Sequence, residues 1–253
     1  MTIMGDARRI VLLTGAAGRI GTAFRRQTGE RYRFRLADRQ TDGLGDTPGT
    51  GHQILALDIV DAEAVRAACV GVDTVVHLAA DPSPEADWET SLLPNNVTGT
   101  LNVFRAALAT GCRRVVFASS VHAVAAYPSD DVLADDAPPR PANLYGASKA
   151  FGESLASVFA TQGLSAIAVR IGAYDAPWLH AGRDPVAVRA YVSAHDLNHL
   201  LVRCIEAEGI GYALAAGVSA NRPNRFDLLQ TSALLGYVPR DDGFRVLKVE
   251  PPR

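Results

Sequence analysis

The sequence predicts a doubly wound α/β fold, a parallel sheet flanked by helices on both faces with a small C-terminal region added. Three observations predict it. Short apolar runs without polar alternation recur along the chain, as strands buried on both faces require. Longer helical stretches separate them, as crossover connections between parallel strands require. A glycine-rich turn joins the first apolar run to the first of these stretches.

In order, Ile10-Val11-Leu12-Leu13 makes Arg9–Thr14 the first strand, which Gly15 ends. A helix near 19–28 leads to a second strand, Tyr32–Ala37, and Thr41–Gly51, rich in Gly, Asp and Pro, reads as a surface loop. His52–Leu57 is the third strand, a helix near 61–70 follows, and Thr-Val-Val-His-Leu makes Thr74–Leu78 the fourth. A helix near 95–110 precedes the fifth strand, Arg113–Ala118. Ser129–Asn143, with Asp130-Asp131 and Asp135-Asp136, reads as an acidic loop leading into a helix near 145–161. Ala166–Ile171 is the sixth strand, and strand-like Tyr212–Ala216 and helix-like Arg225–Leu235 follow. Neither loop separates two cores, so a single domain spanning 1–253 is expected.

Composition narrows the function classes. With 25 Lys+Arg against 27 Asp+Glu, the net charge of −2 gives no basic footprint, so nucleic acid is not an expected partner. No apolar stretch approaches the roughly 18–20 residues of a membrane span, and no signal peptide is apparent. Cys69, Cys112 and Cys204 are odd in number and widely spaced, as for buried thiols in a reducing compartment. A soluble, cytoplasmic protein is expected.

The first turn reads Thr14-Gly15-Ala16-Ala17-Gly18-Arg19-Ile20-Gly21, a G-x-x-G-x-x-G pattern that opens a helix. Glycines there permit a tight turn, close approach of backbone to a pyrophosphate, and close helix–strand packing. The helix N-terminus supplies unpaired N–H groups to the anion. Asp38 ends the second strand, where an acidic residue binds the ribose hydroxyls of NAD. The pattern is therefore of the Rossmann type, with the NAD-binding core at about 8–171. Asp38 favours NAD, while the adjacent Arg39 leaves NADP open. Asp58, with Ile59 beside it, is placed to meet adenine or to cap the following helix, and Leu78-Ala79-Ala80 would lie under the cofactor.

Tyr145 and Lys149 stand at i and i+4 on a predicted helix, hence on one face. Ser119-Ser120 ends the fifth strand, at the carboxyl edge of the sheet. A phenol with an ordinary pKa of about 10 becomes a base near neutrality only beside positive charge. Lys149 and Lys248 are the only lysines in an otherwise arginine-based chain. A compact ammonium suits that place, because it can also hydrogen-bond ribose hydroxyls. The chemistry this set serves is proton removal from an alcohol as hydride leaves to nicotinamide.

T-G-A-A-G-R-I-G (14–21), H-L-A-A (77–80), N-N-V-T-G-T-L-N-V (95–103), F-A-S-S (117–120), Y-G-A-S-K (145–149) and V-R-I-G (169–172) together resemble the extended short-chain dehydrogenase/reductase superfamily, in its NAD-dependent epimerase/dehydratase group. Within it the chain is similar to the uronate dehydrogenases, through F-A-S-S-x-H, L-Y-G-A-S-K-A-F-G-E (144–153), S-A-H-D (193–196), G-V-S-A-N (217–221) and L-G-Y-V-P-R-D (235–241). The resemblance implies a catalytic triad of Ser120, Tyr145 and Lys149, with Ser119 bordering the nicotinamide. Asn96 and Ile171, which lie in the shared motifs, join Gly15, Ala17, Gly18, Arg19 and Ile20 as expected cofactor contacts. Ser83, His122, Arg183 and Arg189 are the expected substrate contacts besides Ser120 and Tyr145, either arginine being available for a carboxylate. Val121 and Ala173 stand where those enzymes carry Asn and Ser. The resemblance also implies a homodimer or higher homo-oligomer built on the helices near 95–110 and 145–161.

The short remainder after Lys149 favours a small sugar or sugar acid, bound by elements at about 172–192 and 217–253. The alternatives are an epimerase or dehydratase acting on a nucleotide-activated sugar, and a non-catalytic NAD(P)-binding regulator. The regulator would not need Tyr145 or Lys149. His195 and His199 have the spacing of a metal pair on a helix, but no third ligand is evident, and no metal is expected. Ser193-x-x-Asp196 reads as the capping arrangement of that helix.

Overall fold

The computed structural model describes residues 8–174 and 185–252. Its centre is a seven-stranded parallel sheet in the order β3-β2-β1-β4-β5-β6-β9, formed by β1 (Ile10–Thr14), β2 (Arg33–Asp38), β3 (Gln53–Ala56), β4 (Thr74–His77), β5 (Arg114–Ser120), β6 (Ser165–Ile171) and β9 (Tyr212–Gly217). The seventh strand is Tyr212–Gly217, which pairs with β6 from Ala166↔Tyr212 to Ile171↔Gly217. Two short strands, β7 (Ala173–Tyr174) and β8 (Tyr191–Val192), pair separately.

Helices cover both faces, which explains the lack of alternation in the strands. Val11 and Leu13 face one core with Phe24, Leu197, Leu200 and Leu201, from α1 (Arg19–Thr28) and α6 (Ala194–Glu206). Leu12 faces the other with Val65, Val103, Phe104 and Phe159, from α2 (Ala62–Cys69), α3 (Thr100–Ala109) and α4 (Leu144–Ala160). Val11, Leu12 and Leu13 are all fully buried, so this stretch shows no polar alternation. The chain order reverses between β1 and β4, which opens a crevice at the carboxyl ends of these strands.

Two helices differ from expectation. The stretch near 95–110 is helical from Trp88, but Trp88–Gly99 is a π-helix that passes into α3 at Thr100. Pro94 lies inside it and cannot donate a backbone N–H, so the tighter α ladder is interrupted there. The helix expected over Arg225–Leu235 is shorter, α7 (Leu229–Leu235), because Leu228 takes a left-handed φ of 59° just before it.

A third apolar cluster, with Val124, Leu133, Phe226 and Leu228, packs against Ala216 and Val218 at the end of β9. A fourth joins Val188 of α5 (Pro185–Val188) to Tyr191 and to Phe244 and Leu247 of α8 (Gly243–Leu247). The acidic loop is irregular but fixed. Arg170 donates to the carbonyls of Asp135 and Ala137, and Arg225 to those of Tyr127, Pro128 and Asp131.

Candidate active site

The glycine turn sits where β1 meets α1. Gly15 has φ +71°, and a Cβ there would lie 2.7 Å from the Ala79 nitrogen and 2.9 Å from the Leu78 carbonyl carbon. A Cβ on Gly21 would lie 2.3 Å from the Gly15 oxygen, so the third glycine lets the helix close onto the turn. Gly18 is the N-cap of α1 and offers no side chain to the first N–H groups of the helix. These groups open into a cleft of about 390 Å³ lined by Gly15, Ala17, Gly18, Arg19, Ile20, Asp38, Arg39, Asp58, Ile59 and Leu78–Ala80. The Asp38 carboxylate accepts from the Ala17 N–H at 3.0 Å, which holds it at the mouth of the turn. α2 is capped by Asp61, which accepts from Glu63 and Ala64 N–H, and this leaves Asp58 in the cleft wall. An uncapped helix start, a Cβ-free floor and a carboxylate at the end of β2 fit an adenine dinucleotide.

Beneath the cleft, His77 is fully buried between Thr14 Oγ1 (2.8 Å from Nδ1) and Thr100 Oγ1 (3.2 Å from Nε2). Thr14 Oγ1 also accepts from the Ala79 N–H at 3.3 Å, which ties the imidazole to the floor of the cleft. Burial, reinforced by the Lys149 charge, pushes its pKa down to about 3.

The cleft reaches β5 at Ala118, whose carbonyl accepts from Lys149 Nζ at 2.9 Å. Lys149 Nζ lies 5.6 Å from the centre of the Tyr145 ring. Burial holds the Tyr145 phenol above its ordinary range, offset in part by the hydrogen-bonding Ser120 hydroxyl. Ser120 Oγ also accepts from the His122 N–H at 3.2 Å. Gly146 permits this convergence, since a Cβ there would stand 2.2 Å from the His122 oxygen. Ser120, His122, Tyr145 and Lys149 are therefore brought together at the carboxyl end of β5, beside the cleft.

Other expected contacts are placed differently. The Ser119 hydroxyl donates to Glu153 at 2.6 Å, because successive strand residues point to opposite faces and Ser119 faces α4. It does not present its hydroxyl to the cleft. Asn96 is buried and binds both the N–H and the carbonyl of Asp81, and also Ser148 Oγ, while its neighbour Asn95 lines the cleft. Ile171 is buried in β6 opposite Ser120 and is not part of the cleft wall. Ser83 is half-buried in a turn, its N–H bonded to Asp81 and its Oγ to the Glu85 N–H. Arg189 is buried, and its guanidinium donates to the carbonyls of Ser129, Asp130, Asp131 and Asn224. With its terminal nitrogens so engaged, it is a clamp on the acidic loop and is not free for a substrate carboxylate. Arg183 lies outside the described residues.

Two features were not singled out from the sequence. Glu153, four residues past Lys149 on the same helix face, forms a buried ion pair with Arg170 of β6 at 2.8 Å. The Tyr145, Lys149, Glu153 spacing was the available signal. Asn143, which directly precedes α4, caps it and also touches His122. On α6, Ser193 Oγ accepts from the Asp196 N–H, as the capping pattern suggested. His195, Asp196 and Asp241 cluster there, but both Asp196 oxygens already accept protein donors: Arg240 N–H on one, Asp241 N–H and Ser219 Oγ on the other. No helix among the described residues is long and apolar enough to cross a membrane.

Comparison with known proteins gives a consistent picture. An NAD-dependent glucose-6-phosphate dehydrogenase of Haloferax volcanii is 38% identical over 248 residues, covering 92% of this chain and 93% of that protein. An L-arabinose 1-dehydrogenase (NAD(P)(+)) of the same organism is 35% identical over 264 residues, covering 94% of this chain and 99% of that one. The crystal structure of a point mutant of uronate dehydrogenase from Agrobacterium tumefaciens, complexed with NAD, superposes with a TM-score of 0.81 at 33% identity, covering 97% of this chain and 91% of that one. Residues 11–184 match the NAD dependent epimerase/dehydratase family, and with these relatives alongside, the chain belongs to that family.

Proposed function

We propose that the chain is an NAD-dependent dehydrogenase that oxidises a hydroxyl of a small sugar or sugar acid carrying no nucleotide. One observation carries the reading: the cleft at the glycine turn ends at Ala118, beside which Ser120, Tyr145 and Lys149 converge. The relatives named as dehydrogenases of glucose 6-phosphate, L-arabinose and uronate support the substrate class. Residues 8–171 form the cofactor core of one domain in this reading, and 172–192 with 217–253 the substrate side.

Gly15, Gly18 and the first turn of α1 would hold the pyrophosphate, and Asp38 the adenosine ribose. Asp38 repels a 2′-phosphate, so NAD is preferred to NADP. When bound, the cofactor supplies the hydride acceptor and a positive charge beside the phenol. The Ser120 hydroxyl holds the reacting sugar oxygen, and Tyr145 takes its proton. Lys149, pushed down to about 8 by burial, still carries its proton at neutral pH and favours the phenolate. For a hexuronate the reacting hydroxyl is the anomeric one and the product is the aldarolactone. Arg183 is the remaining arginine for a substrate carboxylate.

The test is NADH formation from NAD+ with free aldoses, hexuronates, sugar phosphates and nucleotide sugars, run in parallel with NADP+. Turnover of an un-nucleotidylated sugar, faster with NAD+, is expected. Turnover confined to nucleotide sugars, or NAD binding with no sugar turned over, contradicts the reading.

The same reading includes a homo-oligomer. Leu144, Phe151 and Val158 stand seven residues apart along α4 and are 55%, 36% and 51% exposed, an apolar stripe suited to a second copy. Phe151→Glu is expected to lower the mass seen by sedimentation. An unchanged mass, or a monomeric wild type, contradicts it.

A further inference from the structure

Asn143 stands at the junction of two structures that meet in the candidate site. Its side-chain Oδ1 accepts from the Gly146 N–H at 2.8 Å and so caps α4, the helix that carries Tyr145 and Lys149. Its Nδ2 lies 3.1 Å from Nδ1 of His122. The cap fixes the orientation of the amide, because a flipped amide would set its NH2 against the Gly146 N–H, donor against donor. An NH2 group only donates, so Nδ1 of His122 must be the acceptor. The imidazole proton then sits on Nε2, which bonds no protein group among the described residues.

The neighbours of the ring leave this arrangement intact. His122 meets the edge of the Tyr145 ring, with centroids 5.4 Å apart and planes at 73°. Its backbone N–H is bonded to Ser120 Oγ, so ring and hydroxyl are held on one short turn. Burial holds the imidazole below its ordinary pKa, so it is neutral at pH 7, and the phenol of Tyr145 on α4 is the titratable group packed against it. Asp81 acts on Tyr145 from the loop after β4. Gly146 makes the contact sterically feasible by bringing the first turn of α4 against the His122 carbonyl.

We propose that Asn143 is a positioning residue that fixes the tautomer of His122, so that His122 meets the sugar as a neutral Nε2–H donor to one of its oxygens. The ligand rests on the dehydrogenase reading above; the tautomer does not. Selectivity follows from it, because a fixed donor discriminates for an acceptor oxygen and against a bare C–H at that position.

The experiment uses the full chain labelled with 15N-histidine. In the wild type, long-range proton–nitrogen correlation spectra are expected to show His122 as the Nε2–H tautomer, identified by its loss in His122→Gln. An Nδ1–H tautomer in the wild type overturns the proposal without any further variant. In Asn143→Asp the helix cap is retained, since Asp and Asn are equivalent there. The carboxylate however accepts from Nδ1, so the spectrum is expected to move to Nδ1–H or to the imidazolium. With the turned-over sugar, KM is expected to rise about tenfold while the Kd for NAD+ is unchanged. A moved tautomer with unchanged KM overturns the contact with the sugar, and an unmoved tautomer overturns the role of Asn143. Absence of NADH formation by the wild type with any sugar speaks against the dehydrogenase reading and leaves the spectral test of Asn143 standing.

Discussion

Complete burial pushes the Lys149 ammonium down to about 8 from its ordinary 10.5, with the Ala118 carbonyl as its hydrogen-bond acceptor. The unfolded chain holds that proton up to the ordinary value and the folded chain releases it earlier. Between about pH 8 and 10.5 the unfolded state therefore binds more protons, and stability rises with pH through this window. The size of the rise is roughly 3 kcal/mol. Lys149→Met is expected to remove the rise, as read from urea midpoints across the window, while abolishing turnover. A variant with the same pH dependence as the wild type contradicts this assignment. The charge is kept in a place that disfavours it, which fits a group retained for chemistry. Other residues resisted reading for physical reasons. Arg189 looks like an available cation in the sequence, and only the folded chain shows its guanidinium among carbonyls of residues far away in the sequence. Asn95 and Asn96 are adjacent and alike; the π-helical turn, wider than the α-turn, decides which one faces the cleft.

At the scale of elements, β5, β6 and α4 are joined by the Glu153–Arg170 pair, which is almost fully out of solvent at 3% and 0% side-chain exposure. Glu153 Oε1 accepts from both Ser119 Oγ and Arg170 Nε, and Arg170 continues to the carbonyls of the acidic loop. Ser119 and Arg170 are register partners in the sheet, so the network ties Ser120 to the helix bearing Tyr145. Glu153→Gln leaves a buried guanidinium unpaired and is expected to cost about 3–5 kcal/mol. The double variant Glu153→Met, Arg170→Met is expected to lose less than the sum of its parts, as measured by urea denaturation. A Glu153→Gln protein within about 1 kcal/mol of the wild type contradicts the role given to the pair. The inner strands and most helices were legible because burial on both faces leaves an unmistakable apolar run, as in β4 and β5, and because caps such as Asp61 and Ser193 mark helix starts locally. The acidic loop was not, since its structure comes from arginines of β6 and of the segments near 189 and 225.

For the molecule as a whole, the sheet does two jobs at one edge. The strand reversal between β1 and β4 opens a crevice for a dinucleotide, and β5 delivers Ser120 to its end, where α4 sets Tyr145 and Lys149. The placement of both halves was legible, the cleft from glycine spacing and Asp38 and the group beside it from the i, i+4 pair and Ser120, whereas Ser119 turns to Glu153. What holds them in register, Asn143, Gly146 and Glu153, emerges from packing. The most direct test of the account is Tyr145→Phe, assayed for NADH formation with the sugar that the wild type turns over and for NAD+ binding by titration calorimetry. The account predicts turnover reduced by at least about a thousandfold with NAD+ affinity within about twofold of wild type, since only the proton acceptor is removed. Turnover retained within about tenfold would contradict it.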